Sequence, residues 1–354
     1  MHLPRLHPRP LSIESTTAEF TELQVEPLLS VDEVRDEWER LARVSGNLFA
    51  SAPWIEGWIR HTSDIPHCSF FWACKREDGS LAALLPLVLV EGRYVSKLRF
   101  AGFGAGWEFG PICAAEDLAS ACDALRLVLS LTETKWDAFV GEDLPGGGWA
   151  GRLAGRFLHR VPSPIVRIAW DDWDAYLATR SRQCRHELRR FERRAAERGF
   201  TFRLVEEEDE LPAALDALFE QHLKRWGELA SPWFVGREGF FREFAADARA
   251  RGWLRLLLAE RSGEIVAASL GFRLGDTEWM YQSSRDVAVD TNGLGILVMA
   301  EALKRAIADG IKEFKLGPGG QSYKMRLATH DHGLETVGIA RTLRGRAALR
   351  RIRP

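Results

Sequence analysis

The sequence predicts a tandem pair of mixed α/β domains, each a largely antiparallel sheet flanked by helices. Three observations lead there. The chain has 354 residues, more than one ordinary hydrophobic core organises. One order of elements, a helical segment followed by two apolar runs around a turn, occurs twice. Between the two occurrences lies Val161-Pro162-Ser163-Pro164, where two prolines disfavour the interior of helix and strand alike.

In the first unit, Val34, Trp38 and Leu41 recur with helical spacing over residues 31–43. A second helix is expected over 52–61, opened by Ser51 with Pro53 in its first turn. Phe70 to Cys74, the turn Asp78-Gly79 and Leu81 to Val90 read as a β-hairpin. In the second unit, 253–259, Ser262-Gly263 and 265–274 repeat that hairpin. The returning runs begin alike, Leu81-Ala82-Ala83 and Val266-Ala267-Ala268. A duplicated unit accounts for this better than chance. Ahead of the second hairpin come a strand over 165–170, one long helix over 174–198 ended by Gly199, a strand over 200–205 and a helix over 211–226. After it come a strand over 278–283, a glycine loop at Asn292-Gly293-Leu294-Gly295, a helix over 296–309 closed by Gly310, and a strand over 313–316. The expected division is a disordered tail at 1–25, a first domain at 26–164, a second at 165–340, and an uncommitted basic tail at 341–354.

Composition narrows the function. Hydrophobic residues make up 46% and charged residues 28% of the chain, the balance of a globular protein and not of a disordered one. The net charge of -2 creates no global field for DNA or an anionic membrane. Cys68, Cys74, Cys113, Cys122 and Cys184 are odd in number and lack CxxC spacing, which argues against a disulfide framework or a zinc site and for a cytoplasmic location. The N-terminal MHLPRLHPRPLS has no apolar core of a signal peptide. The longest apolar run, 81–90, contains Pro86 and is about half the roughly 20 residues that a bilayer span needs.

Several constellations have chemical potential. The glycines of 290–295, set where a helix begins, either let backbone N–H groups converge on an anion such as a pyrophosphate or simply form a helix-opening turn. Gly317-Pro318-Gly319-Gly320 ends a strand and is followed by Tyr323, Lys324 and Arg326. Strand ends are where ligands sit in α/β folds. There Tyr323 is suited to protonating a leaving thiolate and Lys324 to binding a phosphate or carboxylate; the alternative is a solvated loop with a packed tyrosine. His330 and His332 fall on one face of a strand, and a histidine is the natural base near neutral pH; no third ligand adjoins them for a metal. Arg182, Arg185, Arg189 and Arg193 share one helix face, open to solvent, an anionic substrate or RNA. Six arginines crowd the last fourteen residues without an acidic partner. Gly102-Phe103-Gly104-Ala105-Gly106 imitates a nucleotide loop, but no helix follows it, so it reads as a structural turn and the first copy as catalytically silent.

The stretches SRQCRHELRRFERR, GWLRLLLAERSGEIVAASLGFRL, WMYQSS to TNGLGILV, and GPGGQSYKMRLATHDH resemble the CelD-like acyltransferases of the GNAT superfamily. EWERLARVSGNLFASAPWIEGW and DGSLAALLPLVLV extend the resemblance to the first half. A more distant similarity is to the Fem-type aminoacyltransferases of peptidoglycan, which also pair two GNAT-like domains. The resemblance implies acyl-CoA as cosubstrate, no metal, and direct attack on a thioester by an amine acceptor, whether amino sugar, peptide or small amine. Backbone groups of the 278–284 strand, including Tyr281 and Gln282, would hold the thioester oxygen. Asn292, Gly293, Leu294, Gly295 and Ile296 would hold the pyrophosphate, although Asp290 stands where the superfamily usually has Gln or Arg. Tyr323 would be the acid and His330 the base, with Lys324, Arg326 and Arg185 at the acceptor. The alternatives are an aminoacyl-tRNA-dependent Fem-type transferase, in which the basic helix and the arginine-rich tail hold tRNA, and a non-enzymatic binding protein of an envelope-polymer pathway.

Overall fold

The computed structural model of the protein describes residues 22–131, 135–229, 233–289 and 293–352. The first half contains β1 (Gln24–Pro27), α1 (Arg35–Ser45), α2 (Ala52–Arg60), β2 (His67–Lys75), β3 (Leu81–Glu91), β4 (Ser96–Phe100), β5 (Ile112–Cys113), α3 (Leu118–Ser130), β6 (Ala138–Pro145), α4 (Trp149–Arg152) and β7 (Arg156–Val161). The second contains β8 (Pro164–Arg167), α5 (Trp173–Ala178), α6 (Arg182–Glu197), β9 (Phe200–Leu204), α7 (Leu211–Trp226), α8 (Glu238–Ala250), β10 (Leu254–Arg261), β11 (Glu264–Leu274), β12 (Thr277–Arg285), α9 (Leu294–Ala308), β13 (Glu313–Lys315), α10 (Ser322–Leu327), β14 (His330–Asp331), β15 (Leu334–Ala340) and α11 (Leu343–Leu349).

These strands form two sheets of one design. The first runs β1-β2-β3-β4-β6-β15-β7, with β5 against β3; the second runs β14-β8-β13-β12-β11-β10-β9. In each, four successive strands pair antiparallel, and a parallel partner follows: β6 beside β4, and β13 beside β12. The two hairpins read from the sequence, β2–β3 and β10–β11, occupy matching places in separate sheets. Where Pro162 and Ser163 break the chain, β7 ends in one sheet and β8 begins in the other.

The structure corrects four expectations. Residues 334–340 do not belong with the second sheet: β15 returns to the first and pairs with both β6 and β7. The arginine-rich end is not an uncommitted tail. Thr342 caps α11 by accepting the Gly345 N–H at 3.0 Å, and Leu349 packs on Ala138 and Val140 of β6. Gln24 and Val25, expected within a tail over 1–25, pair with Lys75 and Cys74; residues 1–21 of that expectation lie outside the described residues. The long helix over 174–198 is two helices. Ser181 has an extended backbone and its hydroxyl accepts the Cys184 N–H at 3.2 Å, so an internal cap restarts the helix. Among the described residues no helix is long and apolar enough to cross a membrane.

One aromatic core joins the halves. Trp54 of α2 is fully buried and meets Phe240 and Phe244 of α8 edge-on, with centroids at 4.9 and 4.7 Å. Phe49 meets Trp279 of β12 at 4.9 Å. Such rings contribute through buried area and through edge-to-face contact. Trp54→Ala should therefore cost about 3–5 kcal/mol. Denaturant titration followed by a probe in each half should still show one shared transition; separate transitions in the wild-type chain would refute the common core.

Candidate active site

The parallel pairing of β12 with β13 runs from Thr277↔Glu313 to Trp279↔Lys315 and stops there. Beyond it β12 continues to Arg285, while the other chain turns at Gly317, whose φ is 76°. At this divergence β12 bulges. Its pairing with β11 jumps from Leu270↔Gln282 to Gly271↔Met280, which leaves Tyr281 as the extra residue. A bulge disrupts the ladder locally and re-aims backbone groups. Gly317 marks the meeting point of four elements: a methyl group there would lie 3.3 Å from the Met280 carbonyl oxygen, 3.6 Å from Lys324 Nζ and 3.8 Å from the Trp107 ring.

Lys324 lies on α10, the short helix into which the 317–327 segment folds. Only 7% exposed, its amine donates to the Pro318 carbonyl at 2.8 Å and the Gly317 carbonyl at 3.4 Å. Burial pushes this amine down to about 8, because removal from water penalises the ammonium and no carboxylate opposes it. Tyr323 beside it is half-buried. Burial raises its phenol and the Arg225 guanidinium acts the other way. The neutral phenol is thus the form present near neutral pH.

A helix completes the site. The βαβ connection places the start of α9 at the carboxyl end of β12, where parallel strands present ligand sites. Gly293 is the N-cap, with a φ of 99°, and a Cβ there would come within 2.5 Å of the Phe191 ring. Among the described residues no side chain caps α9. Leu294 and Ile296 bury their side chains in the core, so they offer only backbone N–H groups. A Cβ added at Gly295 would meet nothing within 4 Å. Asn292 and Asp290 lie outside the described residues.

Other expected site residues are committed elsewhere. The Tyr281 hydroxyl donates to the Ala105 carbonyl of the first half at 2.6 Å, and Gln282 Nε2 pairs with His222 Nδ1 at 2.8 Å; only their backbones remain for a ligand. Arg326 forms an ion pair with Glu187 of α6. Arg185 donates to the Arg180 carbonyl at 2.5 Å and the Ala178 carbonyl at 3.3 Å, closing the end of α5. His330 is exposed on β14 with its Nδ1 2.8 Å from Thr329 Oγ1. It pairs with Ile165, which on its other side pairs with Lys315. Two strand spacings, about 10 Å, separate it from β13, so it does not share the divergence with Tyr323 and Lys324. His332 lies 2.8 Å from an Arg167 nitrogen. Arg182, Arg189 and Arg193 are exposed.

Sequence reading passed over residues that shape this place. Gln221 and His222 of α7 grip β12: Ser284 Oγ donates to Gln221 Oε1 at 2.9 Å, and His222 meets Gln282. Burial lowers the His222 imidazole, while a Ser283 backbone hydrogen bond raises it. Trp107 and Glu108, from the turn read as merely structural, reach across to Tyr281 and Lys315. The available signal was Lys315, a charge inside the buried strand Glu313–Lys315, which needs a partner.

Residues 182–325 match the family described as Acetyltransferase (GNAT) domain. The second half carries a GNAT-type acyltransferase domain. No curated protein matches the chain. Among solved structures, FemX has 11% identity and a TM-score of 0.62, over 89% of this chain and 97% of its own. L-PGS from Bacillus licheniformis has 14% identity and a TM-score of 0.58, over 89% and 95%. The C-terminal domain of a putative lysylphosphatidylglycerol synthetase from Agrobacterium fabrum has 11% identity and a TM-score of 0.55, over 90% and 96%. At these identities the likeness establishes a shared fold that extends over both halves of the chain.

Lys324 makes stability depend on pH. An ordinary lysine keeps its proton up to 10.5, whereas the folded one releases it near 8. Between these values the unfolded chain holds the extra proton, so stability rises with pH through that window, and the burial penalty is fully present below it. Relative to Lys324→Met, the wild type should gain on the order of 3 kcal/mol across it. Urea midpoints of both proteins at several pH values measure this; parallel curves would show that the amine is solvated.

Proposed function

We propose that the chain transfers an acyl group from acyl-CoA to an amine acceptor by direct attack, at the divergence of β12 and β13. The observation that carries this reading is the buried Lys324 amine, brought towards neutrality beside a bulged strand and next to a half-buried phenol. The uncapped first turn of α9 is suited to a pyrophosphate: Leu294, Gly295 and Ile296 would supply backbone N–H groups and Gly295 the room for approach. Backbone N–H groups around Tyr281 would receive the carbonyl oxygen as it becomes an oxyanion.

In this scheme the proton-accepting role expected of His330 passes to Lys324. Its neutral form takes one proton of the acceptor ammonium, the freed amine forms the new C–N bond, and the C–S bond breaks as Tyr323 delivers a proton to the leaving thiolate; the second proton of the acylated nitrogen, passed through water, restores the Tyr323 phenol, and Lys324 returns its proton to solvent. The acceptor is an amino sugar, a peptide or a small amine, as the resemblance to CelD-like enzymes implies. The first half acts as a partner wall and not as a second catalytic centre.

A second reading has its own support. The likeness to FemX and to a putative lysylphosphatidylglycerol synthetase domain covers 89% and 90% of the chain, and the exposed Arg182, Arg189 and Arg193 on α6 suit a polyanion. An aminoacyl-tRNA would then replace acyl-CoA as donor. Thermal shift separates the two, since a ligand of the native state raises the melting temperature.

Two variants test the main reading. Gly295→Val should fold, because its side chain enters open space, and lose acetyl-CoA binding; unchanged calorimetric affinity would exclude α9 as the pyrophosphate site. Tyr323→Phe should lower turnover by about 10²–10⁴ with little change in acyl-CoA affinity, measured as CoA thiol release with a panel of amines. Full activity per folded molecule would remove Tyr323 from the chemistry.

A further inference from the structure

The segment between β4 and β5 leaves the first sheet and crosses to the second half. There the Trp107 indole lies parallel to the Tyr281 ring, with centroids 5.6 Å apart and planes 10° apart. It also rests on Phe49 at 4.4 Å and on Trp279 at 5.9 Å. Only 5% of Trp107 is exposed. The indole edge lies 3.8 Å from the position a methyl group on Gly317 would take, so an aromatic residue of the first half lines the inner end of the β12–β13 divergence.

Several contacts fix this ring. Gly106 has no room for a side chain, because a Cβ there would come within 2.7 Å of the Phe49 ring. Glu108 adopts a left-handed backbone with a φ of 58°. Such a conformation persists in a non-glycine residue only where its surroundings impose it. Here the Asn47 Nδ2 donates to the Glu108 carbonyl at 2.7 Å, and Lys315 Nζ donates to Glu108 Oε2 at 2.5 Å. The next residue, Phe109, donates its N–H to the Asp143 carbonyl at 3.2 Å. The indole is therefore held from both sides along the chain and cannot retreat without breaking a buried ion pair.

We infer that Trp107 sets donor specificity, acting as the stop that restricts the acyl group to acetyl size. This rests on the acyl-CoA reading above and adds the class of donor to it. The thioester carbonyl would lie against the bulge at Tyr281, so the acyl carbons beyond it point towards the Trp107–Gly317 floor. There the indole, the Met280 carbonyl and the Lys324 amine already fill the space, and interiors tolerate no added methylenes without rearrangement.

Calorimetry on the full chain with acetyl-CoA and octanoyl-CoA tests this. The wild type should bind acetyl-CoA at least about tenfold more tightly, the scale on which apolar pockets discriminate chain length. Trp107→Ala should raise octanoyl-CoA affinity by at least about tenfold and leave acetyl-CoA within the same order of magnitude. Trp107→Phe, which keeps an aromatic contact with Tyr281, serves if the alanine variant does not fold, and should show a smaller gain. Equal wild-type affinity for the two thioesters would overturn the inference while leaving the acyl-CoA reading intact. Folded variants that still exclude octanoyl-CoA would overturn it as well. Binding of neither thioester would overturn both readings.

Discussion

A buried charge sits at the last rung shared by β12 and β13. The Lys315 ammonium, 7% exposed, lies 2.5 Å from Glu108 Oε2, 3.3 Å from Glu313 Oε1 and 4.1 Å from the centre of the Trp279 ring. An ammonium in such a place requires its partner, since stripping one member from a buried pair leaves an uncompensated charge. That partner comes from the other half of the molecule. The rung at which the strands part is thereby tied to the segment that positions Trp107. The turn at Gly317 begins two residues further along the same chain, and α10 with the buried Lys324 follows from that turn.

The two halves share a sheet order yet differ where their parallel strands separate. In the second, the connecting helix α9 starts from Gly293 and Gly295 with its N–H groups uncapped. In the first, α3 follows a turn containing Glu116 and Asp117, and Asp117 is engaged by Arg76 at 2.7 Å. Carboxylates beside a helix start repel the anion that such a start would otherwise attract. The first half's own divergence is filled by Phe100 and Phe139, 5.8 Å apart and edge-on. The two copies of one sheet order thus differ at the start of the helix beside the parallel pair: one begins on glycines, the other beside carboxylates.

Much of the architecture was legible because period-two apolar runs, a DG turn and helix caps are local signals. The hairpins and α7 illustrate this: helix 211–226 could be placed from its own spacing and the structure bounds it identically. The break before Arg182 was missed because helix-forming residues lie on both sides of it; only residues 179–181, ending in the capping Ser181, interrupt the helix. The site was harder. Tyr323 and Lys324 announce themselves beside a glycine turn. Glu108, Trp107, His222 and Arg185 matter through partners from 60 to more than 200 residues away or through a cap, and sequence spacing carries no distance of that kind. His330 failed for the same reason: its distance from the site depends on β8 lying between it and β13.

The return of β15 to the first sheet also orders events during synthesis. Among the described residues β7 pairs only with β15, which follows every other described strand. A nascent chain that has released β1 to β7 can form the β1-β2-β3-β4-β6 array, yet β7 has nowhere to dock. The second sheet, whose strands all precede residue 332, can close while the first still has an unfilled slot beside β6. The half made first is therefore finished after the second sheet, and an exposed β6 edge, open to pairing with other chains, persists until residues 334–340 emerge from the ribosome.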